Sequence, residues 1–78
     1  MKKEEFLQLL QEALELTGPK FNESTNLPQV EGYDSMSVMT IIAFVDEYFN
    51  KRLTAKQLSG ITTIKSLMDL IGIENFTN

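Results

Sequence analysis

Residues 31–39 read EGYDSMSVM, Glu31 to Met39, and stand between a polar stretch without periodicity and the most apolar run of the chain. Asp and Ser are preferred residues at helix N-caps, so Asp34-Ser35 read alone marks a helix start. After it the apolar residues Val38, Ile42, Val45 and Phe49 recur on one face, and Met36, Met39, Ile41 and Phe44 widen the stripe. The pattern predicts a central helix over about 35–51, closed by Lys51 and Arg52 against the negative end of its dipole.

Upstream, Phe6, Leu9, Leu10, Ala13 and Leu14 keep the spacing of a helical face and predict a first helix over about 3–17. Thr17-Gly18-Pro19 is the expected stop, with Gly in the left-handed conformation and Pro unable to continue the ladder. Residues 18–34 then form a long loop rich in Pro, Asn, Ser, Glu and Gly. A connection of this length needs anchors, and Phe21, Leu27 and Val30 are the candidates.

Downstream, Thr54-Ala55-Lys56-Gln57 reads as a capping box opening a short third helix over about 55–59. Thr63 caps a fourth over about 64–72, with Ile64, Leu67, Met68 and Ile71 inward and Gly72 at its end. Residues 74–78 are expected to fray. The fold class is therefore all-α, a four-helix bundle with a long first loop and a short third helix, in one domain over 1–78.

Composition narrows the function. A chain of 78 residues builds one small core, which disfavours an enclosed multi-residue catalytic pocket. Eleven acidic against seven basic side chains give a net charge of -4, which opposes nucleic-acid binding and favours partners with basic patches. With no Cys and no His, disulfides, the usual zinc sites, Cys nucleophiles and His-based acid/base schemes are unavailable. No spacing of Lys and carboxylates points to an enzyme either. The N-terminal lysines are followed by Glu4, Glu5, Gln8, Gln11 and Glu12, which interrupt any signal-peptide core, and no run nears the roughly 18 apolar residues of a membrane span. A cytoplasmic, monomeric protein is the expectation.

Three features lift Asp34-Ser35 above a plain cap. Ser35 falls in the first turn of a helix, where free N–H groups and the positive dipole end favour a phosphate ester. Gly32 leaves the approach to the hydroxyl open, and the site ends a long loop. None of Ser24, Ser37, Ser59 and Ser66 combines a preceding Asp with a helix start in this way.

A small acidic four-helix chain with a long first loop, Gly32-x-Asp34-Ser35-Met36 opening the second helix, Asp46-Glu47 late on it and ITTIKSL opening the last resembles the acyl carrier protein family over nearly its whole length. The resemblance implies that Ser35 carries a 4′-phosphopantetheine arm, derived from coenzyme A and installed by a phosphopantetheinyl transferase that uses magnesium. A thiol on that arm would hold acyl groups as thioesters for acyl-transfer, ligase or synthase enzymes with basic docking patches, in fatty-acid or specialised acyl or polyketide biosynthesis. Asp34, Met36, Ser37, Thr40, Asp46 and Glu47 are the partner-recognition positions that it implies, and Met39, Ile42, Leu58, Ile61 and Met68 are candidate lining for an acyl pocket. The chain departs from the family pattern at Ser37 and Thr40, where typical fatty-acid carriers have acidic side chains, and at Glu31 and Tyr33, where Leu and a non-aromatic residue are usual. Those departures favour a specialised pathway. A peptidyl or aminoacyl carrier, or a helical interaction module in which Asp34-Ser35 is only a cap, are the alternative readings.

Overall fold

A computed structural model describes residues 1–77; Asn78 lies outside the described residues. Among them the chain forms α1 (Lys3–Leu14), α2 (Ser35–Phe49), α3 (Ala55–Leu58) and α4 (Ile64–Ile71), with 3₁₀ turns at Leu27–Gln29 and Ile73–Asn75 and no strand. This is the all-α, four-helix arrangement that the periodicity predicts, with the long first loop and the short third helix in their expected places.

The core is assembled from one face of each helix and from the loops between them. Phe6, Leu10 and Leu14 of α1 meet Ile41, Phe44 and Val45 of α2, with Leu58, Ile64, Leu67, Met68 and Ile71 closing the other side. Phe6 is its aromatic hub, edge-on to Phe44, Phe49 and Phe76 at centroid distances of 5.7, 6.0 and 5.0 Å. The α2 face turns differently from the expected one: Ile41, Phe44 and Val45 are buried, Val38, Ile42 and Phe49 only partly, and Met36 and Met39 point away from the core. An all-round apolar helix does not fix its own rotation, and packing against α1 decides it.

Helix α1 stops at Leu14, three residues before the expected end. Glu15 takes the left-handed conformation at φ 55°, and the Glu15 and Leu16 amides return to the carbonyls of Glu12 and Gln11, so the chain turns here without a glycine. Gln11 then clamps the loop: its Nε2 donates to the Leu16 and Pro19 carbonyls and its Oε1 accepts from the Phe21 amide. Helix α2 ends at Phe49 with Asn50 in the left-handed region, so Lys51 and Arg52 lie beyond it. Lys51 instead donates to the Ile71 carbonyl at the end of α4, where the same dipole argument applies to a different helix.

The long loop is held by hydrogen bonds that a sequence pattern does not reveal. Thr25 and Glu23 offer their carbonyls to the Ile64 and Lys65 amides, which are free donors of the first turn of α4, and the Leu27 amide donates to the Thr62 carbonyl. Phe21 and Leu27 are buried and Val30 is half-buried against the core. At the C-terminus the expected fraying does not occur over residues 74–77. Phe76 is buried against Phe6 and Phe49, and Thr77 pairs with Met1 and Lys3 through backbone hydrogen bonds.

Candidate functional site

The site begins with how Asp34 starts α2. Asp34 is extended and accepts the Ser37 amide through Oδ1 at 3.1 Å, while Ser37 Oγ accepts the Asp34 amide at 3.2 Å. This reciprocal capping box takes up two of the unpaired donors at the helix start. The amides of Ser35 and Met36 are left without a partner among the described residues. Ser35 sits between them, exposed, at the first helical position. Its hydroxyl enters none of the side-chain hydrogen bonds formed among the described residues.

The remaining serines are distinguished by their geometry. Ser37 is 6% exposed and committed to the cap. Ser59 Oγ donates to the Lys56 carbonyl and Ser66 Oγ donates to the Thr63 carbonyl. Ser24 is exposed in the loop, with no helix start beside it. A phosphate group on Ser35 would meet two free amides and the positive end of a 15-residue helix. The residues present therefore fit a phosphate ester at this position, and no other serine combines a free hydroxyl with the start of a helix.

The positions expected to face partners do not all do so. Asp34, Met36, Asp46 and Glu47 are exposed, Thr40 is half-buried with its hydroxyl turned back to the Met36 carbonyl, and Ser37 is buried, which corrects its expected place on the docking surface. Met39, expected to line an acyl pocket, is 67% exposed beside Met36 at 69%, so it stands on the outer surface next to Ser35. Leu58, Ile61 and Met68 are buried in the core and Ile42 is half-buried. Asp46 and Glu47 enter no salt bridge among the described residues. Tyr33, directly before the capping box, packs its ring partly against the core, and desolvation there raises its phenol above the ordinary value of 10.0.

A groove that hydrophobic periodicity does not reveal opens in the first loop and reaches Gly32, three residues before Ser35. It has a volume of about 570 Å³ and is lined by Leu16, Lys20, Phe21, Val30, Glu31 and Gly32, among others. The Gln11 clamp and the chain reversal at Glu15 form it, and neither leaves a signal in hydrophobic periodicity.

No helix is long and apolar enough to cross a membrane among the described residues. Comparison with curated proteins and with solved structures gives no match. The family model for the phosphopantetheine attachment site matches residues 4–71, a span that runs from the first turn of α1 to the last residue of α4 and contains the exposed serine with its capping box. Proteins of this family are carriers, not catalysts, and 4′-phosphopantetheine is attached to them covalently. By this match, and by a helical fold that agrees with it, the chain belongs to the family of phosphopantetheine-binding carrier proteins.

Proposed function

We propose that Ser35 bears the phosphopantetheine and that the chain carries acyl intermediates as thioesters, delivering them to partner enzymes of fatty-acid or specialised acyl or polyketide biosynthesis. The observation that carries the assignment to Ser35 is its free, exposed hydroxyl between two unpartnered amides at the start of α2. The arm supplies the thiol that a chain without Cys lacks. Residues of this chain do the rest: Asp34 and Ser37 fix the helix start, Ser35 offers the oxygen, and the exposed face of α2 receives the enzymes.

That face is divided along its length. Next to Ser35 it presents the apolar Met36 and Met39, and farther along it presents Asp46 and Glu47. A partner suited to it places an apolar surface over the methionines and a basic patch over the carboxylates. With Asp34 at the start and the only other carboxylates of α2 in its far half, steering contributes less to encounter than on a face acidic throughout. This supports a pathway with dedicated enzymes; a cytoplasmic setting and one monomeric carrier domain over residues 1–78 complete the proposal.

The test of cargo is to isolate the protein from the cells that make it and release the arm with its load for mass measurement. Fatty-acyl or polyketide-type masses on the arm are the expected result. Aminoacyl masses would move the assignment to a peptidyl carrier.

A further inference from the structure

We infer that the groove beside Gly32 is an intramolecular binding site for the pantetheine chain, which folds back from Ser35 onto the first loop. The inference rests on Ser35 being the attachment point. Gly32 lines the groove, and three residues of chain reach at most about 11 Å, so its near wall is close to Ser35. A phosphopantetheine chain is as long as about four to five residues of extended backbone, enough to cross that distance and enter.

The groove matches that chain in chemistry as well as reach. Leu16, Phe21 and Val30 offer apolar contact for geminal methyls and methylenes, and Lys20, Asn22 and Thr25 offer donors to two amide carbonyls. Lys20 has no carboxylate partner among the described residues. Gly32 keeps the wall thin: at φ +92° it has no side chain, and a Cβ built there would stand 3.0 Å from Leu16 Cδ2. The walls are preformed, because the Gln11 clamp fixes Leu16, Pro19 and Phe21, while the Asn22 side chain accepts from the Ser24 amide and Thr25 Oγ1 from the Asn22 amide. By contrast, Leu58, Ile61 and Met68, the expected lining of an acyl pocket, are packed into the core at 2%, 6% and 0% exposure. A preformed groove therefore faces the loop, whereas entry between α2 and α3 requires the core to open.

Affinity need not be high. A short flexible tether holds its end at millimolar effective concentration, so a site with a dissociation constant of about 1 mM is already half filled. The consequence is a sheltered arm that an enzyme must draw out, which delays loss of a thioester to water.

The test is NMR of ¹³C,¹⁵N-labelled protein before and after a phosphopantetheinyl transferase has loaded it, with intact mass and mapping of the Ser35 peptide on the same sample. The expected result is a set of contacts between the geminal methyls of the arm and the methyls of Leu16 and Val30, with amide shifts at Leu16, Phe21 and Thr25 as large as those at Asp34 and Met36. Shifts confined to residues 33–38, or contacts to Ile42, Leu58 and Met68 in place of the loop, overturn the inference and leave the attachment standing. A folded protein that takes no arm at Ser35 overturns both.

Discussion

Asp34, Ser35 and Ser37 are neighbours in sequence with separate tasks, and substitutions should separate them. Asp34 and Ser37 hold each other's amides, so Asp34→Ala or Ser37→Ala removes a capping interaction worth about 1 kcal/mol. Because the two act as one unit, the double variant should cost less than the sum of the singles. Ser35→Ala should leave stability within about 0.5 kcal/mol of the original, since its hydroxyl makes no bond that folding depends on. Urea titration of these four variants beside the original protein measures all of this. Tyr33 adds a pH dependence with a definite sign. Its folded-state phenol is raised by burial, so the stability linked to it is fully present below pH 10 and is lost as pH rises through the folded value. Tyr33→Phe should therefore flatten the alkaline limb of the stability curve and leave neutral pH alone. The candidate serine was legible in the sequence because a cap preference and an apolar period coincide there. The burial of Ser37 was not, since a cap residue at the third helical position looks the same on paper whether it faces a partner or its own backbone.

Among the elements, the four helices were legible and their ends were only partly so. Thr54 and Thr63 begin their helices as their spacing predicts, because capping is a local interaction of three or four residues. The end of α1 was misplaced because Glu15 occupies a conformation that sequence rules reserve for Gly, held there by the reversal of the Leu16 chain. Glu15→Gly should relieve that conformation and raise stability by roughly 0.5–1 kcal/mol, visible as a higher urea midpoint at unchanged slope. Lys51 was assigned to the wrong helix for a similar reason. Its partner, the Ile71 carbonyl, lies 20 residues away, and only packing brings α4 to it. The first loop likewise owes its order to carbonyls given to α4 and to Gln11, contacts that no period encodes.

For the whole molecule, closure depends on the tail. Phe76 completes the aromatic group around Phe6, and the Thr77 backbone ties the chain ends together. Phe76→Ala should cost about 3–5 kcal/mol, a large share of the stability of a domain this small, and thermal unfolding will register it. The tail was read as frayed because a short terminal stretch with a single aromatic has no period of its own. The same closed framework leaves α2 with one exposed face, and Ser35 stands at the end of that face, three residues after Gly32 of the loop groove. On the proposed reading this serine carries the arm. Intact mass before and after incubation with coenzyme A, magnesium and a broad-specificity phosphopantetheinyl transferase, with Ser35→Ala in parallel, tests it most directly. One phosphopantetheine added to the original protein and none to the folded variant is the predicted result. Equal addition to both proteins, or none to an unmodified original with more than one transferase, would contradict it.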